Sequence, residues 1–162
     1  MAELIDPNEI MFTKFEPRVA NRFIVYMEGL PSYMIKKIQF PNQESSEVKL
    51  DHINMVRKLK GKTVWGDMTM TLYEPILPSG AQIIMNWLRT QHEDLTGRDG
   101  YADFYKKDFT INILGPVGDK VGEWTVVGAY AKNVAFGEGD WSNDQPIEVT
   151  ATITMDYCIL RF

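Results

Sequence analysis

An antiparallel β-sandwich or barrel with one flanking helix is the fold this sequence of 162 residues predicts. Three observations carry the prediction. Strand-like alternation recurs along the chain, a single stretch has helical periodicity, and strand and helix never alternate repeatedly as a parallel sheet would require. The clearest alternation closes the stretch GEGDWSNDQPIEVTATITMDY, residues 137 to 157. Successive strand side chains point to opposite faces, which puts Ile147, Val149, Ala151, Ile153, Met155 and Tyr157 on one side. Glu148, Thr150, Thr152, Thr154 and Asp156 fall on the other, so this strand has an apolar face and a wet one.

The remaining elements follow in chain order. Within EPRVANRFIVYMEGLP a strand is expected at about Arg22 to Glu28, with Phe23, Val25 and Met27 on one face and a Gly29-Leu30-Pro31 turn after it. YMIKKIQF gives a second strand, ended by Pro41. SSEVKLDHI sets Ser46, Val48, Leu50 and His52 against Glu47, Lys49, Asp51 and Ile53, so one face carries charges of both signs. NMVRKLKGKTVWGD is basic around Gly61, with Arg57, Lys58, Lys60 and Lys62, and leads into the alternating DMTMTLYE. The two together read as a long hairpin with a basic tip, although a local cationic run is ordinarily a solvated loop.

The helix lies in PSGAQIIMNWLRTQHEDLTG. Ser79 followed by Gln82 makes a capping-box signal, Ala81, Ile84, Met85 and Leu88 form the apolar stripe, and Gly97 is the expected stop. Ile83 and Trp87 sit at and beyond the edge of that stripe. Two readings of them stay open: they widen the core face, or they meet a neighbouring subunit. YKKDFTINILG and EWTVVGAYAKNVAF supply further strands. No linker or internal repeat interrupts the chain, and residues 1 to 162 are expected to form one domain.

Composition narrows the function. With 44% hydrophobic and 24% charged residues the chain has the make-up of a globular protein. Its net charge of −5 argues against a protein that holds nucleic acid tightly by neutralising phosphate, though not against a surface that nucleic acid slides past. The start MAELIDPNEIMF carries acids where a signal peptide carries lysines, and no run approaches the roughly 18 apolar residues of a membrane span, so a cytosolic product without membrane insertion is expected.

The usual signatures of chemistry are missing. Cys158 is the one cysteine and sits in a strand pattern, which excludes a disulfide framework within the chain and offers no nucleophile motif. His52 and His92 have no second histidine or cysteine at metal-ligand spacing, and GEG at residues 137 to 139 lacks the context of a phosphate loop. No catalytic, cofactor or metal site is expected. A soluble β-barrel enzyme or ligand-binding protein stays as the alternative, its mark being a closed pocket with convergent polar groups in a monomer.

Several stretches, in their order, resemble the tail tube proteins of contractile-tailed bacteriophages. GAYAKNVAFGEGDWSNDQPIEVTATITMDYC is similar to that family's strand with a G-x-x-x-x-N-V-like opening, acid-tryptophan turn and final alternating strand ending in Asp-Tyr. GYADFYKKDFTINIL, WGDMTMTLYEPI with the helix at Ile84 to Leu88, and RVANRFIVYMEGLP with its Arg-x-x-Asn-x-Phe opening extend the resemblance over nearly the whole chain. The basic hairpin and the extended acidic amino terminus depart from the pattern.

The resemblance implies a hexameric ring, with rings stacked into a hollow tube inside a virion tail and assembled in the host cytoplasm. It implies a tail sheath, a baseplate and a tail terminator as partners, and DNA passing through the lumen without tight binding. The tube of a phage-derived secretion or bacteriocin-like machine is the neighbouring alternative. On this reading Glu148, Thr150, Thr152, Thr154 and Asp156, with Glu47, Lys49 and Asp51, are candidates to face the lumen, where hydroxyls and carboxylates avoid binding phosphate. Arg57, Lys58, Lys60 and Lys62 would reach the next ring and meet Glu138, Asp140 and Asp144. Ile83 and Trp87 are the candidates for a lateral or sheath contact.

Overall fold

The computed structural model describes residues 16–162; the acidic amino terminus singled out above lies outside the described residues. In chain order the elements are β1 (Phe23–Met27), a short 3-10 turn (Ser32–Met34), β2 (Ile35–Ile38), β3 (Gln43–His52), β4 (Met55–Trp65) and β5 (Met68–Tyr73). Helix α1 (Gly80–Gln91) follows, then the two-residue strands β6 (His92–Glu93) and β7 (Arg98–Asp99) and the short helix α2 (Ala102–Tyr105). The chain ends in β8 (Lys107–Leu114), β9 (Lys120–Ala135), β10 (Glu148–Thr154) and β11 (Tyr157–Arg161).

All strand pairing is antiparallel, and seven strands form one sheet in the order β1-β8-β9-β10-β5-β2, with β11 also on β9. Strand β9 is long enough, at 16 residues, to belong to two halves of this sheet. Its first part lies between β8 and β11, and its second part pairs with β10. The halves share one core. Val25, Phe109, Ile111 and Val126 from the first half join Met68, Met70, Leu72, Val149, Ala151 and Ile153 from the second, with Met34, Ile84 and Trp87 completing the cluster. The sandwich expected from the alternation is therefore present, built by one sheet folding over on itself.

The corner of that fold is the junction of β10 and β11. The alternation read as one strand through Tyr157 breaks after Thr154, and Tyr157 opens a strand in the other half. Opposite the break, Gly128 on β9 adopts φ +68°, a left-handed conformation that side chains with a Cβ disfavour. A Cβ there would also run into the Asp156 carboxylate. The Gly128 N–H donates to Asp108 Oδ1 at 2.9 Å and the Asp156 N–H to the Val127 carbonyl at 3.1 Å, so the bend is closed by hydrogen bonds from both strands.

Helix α1 starts where expected, but its cap is built differently. The Ser79 hydroxyl accepts from the Gln82 N–H at 3.2 Å and donates to Glu74, whose other carboxylate oxygen takes the Ala81 N–H at 2.6 Å. Glu74 thus satisfies a first-turn N–H from outside the helix, whereas the Gln82 side chain of a capping box would have taken the Ser79 N–H. The helix ends at Gln91, earlier than Gly97 suggested, because His92 turns into β6 and Gly97 occupies the turn of the β6–β7 hairpin.

The basic segment also folds otherwise than expected. Strand β4 pairs with β3, not with β5, and the pair forms a separate two-stranded ribbon. Its turn lies at Ile53 and Asn54, so Arg57, Lys58, Lys60 and Lys62 stand along an arm and Gly61 is in mid-strand. Gly61 is there because the register shifts between Ser45 and Glu47, where a Cβ would collide with the Ser46 hydroxyl.

Candidate functional site

The second half of the sheet has one fully apolar face and one polar face. On β10, Val149, Ala151 and Ile153 are 0% exposed, whereas Glu148, Thr150, Thr152 and Thr154 are half-buried; Asp156, just past the strand, is exposed. Pairing extends the polar face sideways. Thr150 lies opposite Thr71 and Thr152 opposite Thr69, so two adjacent strands present five threonines, a cross-strand arrangement that favours a pleated sheet. Strand β9 adds Asn133 opposite Thr152 and Tyr130 opposite Thr154, and β2 adds Lys37 opposite Thr71. Thr69 and Thr71 belonged to a recognised alternation, but their place beside the β10 threonines is a consequence of register alone.

The carboxylates of this face are ion-paired. Glu148 meets Lys36, whose ammonium also lies 5.6 Å from the centre of the Tyr73 ring. Asp156 takes two bonds from Lys106, at 2.8 and 2.9 Å. Asp67 accepts from Lys132 at 2.8 Å and from the Thr154 hydroxyl at 2.8 Å. These hydrogen bonds hold Lys36, Lys106 and Lys132 above the ordinary lysine value, and the bonds from Lys132 and then Thr154 hold Asp67 below the ordinary aspartate value. The face read from the sequence as hydroxyls with carboxylates carries its carboxylates in ion pairs.

Past Thr154 the face continues into a cleft of about 590 Å3 that includes Gln91, Tyr105 and Tyr130. Its charged groups are committed to one another: His92 to Asp99 at 2.6 Å and Lys106 to Asp156. The bond to Asp99 raises the His92 pKa. Among the described residues no three His, Cys, Asp or Glu side chains cluster as metal ligands would, and no helix is long and apolar enough to cross a membrane. Burial pushes the Cys158 thiol up to about 11, away from nucleophilic thiolate character at neutral pH.

The candidates on β3 do not join the threonine face. Glu47, Lys49 and Asp51 stand on the ribbon, whose first strand is exposed at every position. Register puts Glu47, Lys49, Asp51, Lys58 and Lys60 on one side of it and Val48, Leu50, Met55, Arg57 and Leu59 on the other. Lys58 and Lys49 lie 3.6 and 3.8 Å from Glu47, while Arg57, Lys60 and Lys62 make no ion pair among the described residues. The acidic turn is exposed at Glu138, Asp140 and Asp144. Asp140 is spent partly on local order, accepting from the Ser142 N–H and hydroxyl at 2.9 and 2.8 Å, bonds that lower its pKa. The turn it shapes presents Trp141 fully to solvent.

Trp87 is withdrawn from the surface candidates. It is 4% exposed within the single chain, and its indole N–H donates to the Tyr105 carbonyl at 2.7 Å, so a neighbour has little of it left to cover. The core stripe of α1 is centred on Ile84 and Trp87, with Ala81, Ile83 and Leu88 half-buried at its margins. A tryptophan reaches far enough from the helix to fill the space between α1 and α2, which the apolar spacing did not reveal.

With this geometry known, comparison with solved structures identifies the fold. The chain is similar to a structure of the anti-feeding prophage tube-terminating cap, with TM-score 0.75 and 14% identity over 97% of this chain and 99% of that one. It is similar to a chain of an extracellular contractile injection system, the PVC sheath–tube complex in its extended state, with TM-score 0.67 and 16% identity over 98% and 99%. It is also similar to the SPP1 tail tube, with TM-score 0.55 and 12% identity over 90% and 79%. No protein-family model and no curated protein matches the chain. The mainly antiparallel sheet with its flanking helix is the fold of tail tube proteins and of their counterparts in contractile injection systems.

Proposed function

We propose that the chain is the repeating subunit of the inner tube of a contractile machine, six copies to a ring and rings stacked around a lumen. The observation that carries this reading is the division of the β10–β5 layer. One face is withdrawn completely from water, while the other presents threonines in register across two strands. A sheet continued through neighbouring subunits loses its exposed edges and keeps one wet face, which is what a conduit wall requires. The agreement of fold over nearly the whole chain supports the same reading.

In this role the protein is structural and catalyses nothing. Its partners are copies of itself, a surrounding sheath, a baseplate and a terminator, and it resides in the tail of the assembled particle, built in the host cytoplasm. Genome passage through a phage tail is one form of the reading. The tube of a phage-derived injection machine is the other, and it is favoured by the higher TM-scores to injection-system chains, 0.75 and 0.67 against 0.55 for the SPP1 tail tube.

The ribbon supports stacking. Its ten-residue arm extends about 33 Å at roughly 3.3 Å per residue, and an isolated two-stranded ribbon is marginal in water unless something covers it. The adjacent ring is the natural cover, with Arg57, Lys58, Lys60 and Lys62 meeting Glu138, Asp140 and Asp144. Electron microscopy of the purified protein tests the whole proposal: hollow tubes or hexameric rings are expected, and a monodisperse monomer would overturn it in favour of a ligand-binding protein or enzyme.

A further inference from the structure

Each of the three carboxylates on the threonine face is matched by a lysine in contact with it, although acidic residues outnumber basic ones in the whole chain. The chain carries a net charge of −5. On this face Asp67, Glu148 and Asp156 stand against Lys132, Lys36 and Lys106, each pair in hydrogen-bond contact. Lys37, opposite Thr71, adds a fourth cation without an ion pair among the described residues. The pairs join residues 112, 50 and 65 positions apart in the chain, so each lysine is brought to its carboxylate by the fold. Neighbouring charges on a local turn would not have this character.

We propose that Lys36, Lys106 and Lys132 make the wall of the conduit charge-indifferent, so that it retains neither a polyanion nor a polycation passing along it. This rests on the reading that the threonine face looks into the lumen. A lining of free carboxylates would repel phosphate and hold basic polymers; a lining of free lysines would do the reverse. A carboxylate and an ammonium held about 3 Å apart act at longer range as a dipole, whose field fades well within the Debye length of about 8 Å at physiological salt. Polyanion binding is driven by lysines that displace condensed counterions, and a lysine must first leave its carboxylate to do so. The raised lysines and the lowered Asp67 stay ionised across the neutral range, so these pairs persist there.

The test uses assembled tubes pelleted at low salt with a fluorescent oligothymidylate or a fluorescent oligolysine. Relative to wild type, the variant Asp67→Asn/Glu148→Gln/Asp156→Asn is expected to retain about tenfold more oligothymidylate, lost again as salt is raised. The variant Lys36→Gln/Lys106→Gln/Lys132→Gln is expected to retain about tenfold more oligolysine by the same electrostatics. If the triple variants do not assemble, Glu148→Gln and Lys36→Gln make the comparison singly, since neither side chain is buried. Wild-type tubes that hold oligothymidylate as firmly as the carboxylate-free variant, or variants that retain no more than wild type, overturn the inference. A separate arm places the face: Thr152→Cys in intact tubes should react with a small maleimide and not with one on a bulky polyethylene glycol. Equal reaction with both means that the face is outside and the parent reading fails. A shielded Thr152→Cys with unchanged retention sinks the charge inference alone.

Discussion

Gly128→Ala should damage the subunit more than Gly97→Ala, although the two glycines have nearly the same backbone conformation, φ +68° and +69°. At either site an alanine must adopt the left-handed region, which costs about 1–2 kcal/mol. The surroundings differ. A Cβ at Gly97 meets nothing within 4 Å, whereas at Gly128 it meets the Asp156 carboxylate and lies 3.1 Å from the Asp156 Cβ. Asp156 cannot withdraw freely, because its N–H is bonded to Val127 and its carboxylate to Lys106. Overfilling a site that cannot relax adds about 1–3 kcal/mol.

Gly97→Ala is thus expected to lose about 1–2 kcal/mol and Gly128→Ala about 2–5 kcal/mol, measured by denaturant unfolding of the dissociated subunit at fixed concentration. The difference between the variants isolates the crowding at the corner, since the backbone contribution is common to both. Equal losses, within about 0.5 kcal/mol, would show that Asp156 moves aside without penalty and that the bend is not held by this contact. Because Gly128 sits where β9 passes from one half of the sheet to the other, Gly128→Ala should also impair tube assembly at concentrations where Gly97→Ala assembles normally.

Lysine at both Thr150 and Thr152 should leave the fold intact, since both side chains are on the wet face, and should make assembled tubes retain DNA at low salt; unchanged DNA passage or retention would count against a lumenal position. Changing Lys58, Lys60 and Lys62 to glutamate should weaken ring stacking more than subunit stability, because an exposed pair contributes little to folding but, in the proposed stack, would recur at every ring contact; normal tube assembly at both low and high ionic strength would leave the ribbon a solvated arm. Acid should destabilise the subunit partly through Asp67: its folded pKa lies below the ordinary 3.8, so its contribution is present above that value and is lost as pH falls through the folded one. Asp67→Asn should shallow the acid limb of a stability–pH profile, and an unchanged limb would mean that Lys132 and Thr154 do not hold the carboxylate in solution.

The division of β10 into two faces was legible in the sequence because a half-buried strand has to alternate, and Val149, Ala151 and Ile153 are buried accordingly. The same rule could not show where the strand ends. Alternation continues through Tyr157, but a period of two is blind to a strand that changes sheets, and Tyr157 is 47% exposed. The readable signal was on the partner strand: a glycine inside the apolar pattern of EWTVVGAYAKNVAF marks a bulge or bend. The ion pairs of the threonine face left no local trace, since their members come from strands and loops at least 50 residues apart.

The ribbon was misread for a reason that bears on what it does. A hairpin turn is ordinarily announced by Asn-Gly or a similar pair, which tolerates positive φ. Gly61 offered itself as that signal. The actual turn is Ile53-Asn54, with Ile53 at φ +52°, a conformation unusual for a β-branched residue, and with the residue 91% exposed. A turn selected only to reverse the chain would place a smaller residue there and face it with polar groups. Beside it Leu50, Met55 and Val56 are also largely in water, so exposed apolar side chains gather at the end of the ribbon. If the ribbon meets the next ring as proposed, charge along the arm would steer and set register, and the apolar end would supply contact area once water is excluded. Stacking through this ribbon should therefore weaken with salt but persist in part, and replacing Ile53 and Met55 by serine should remove the part that salt leaves.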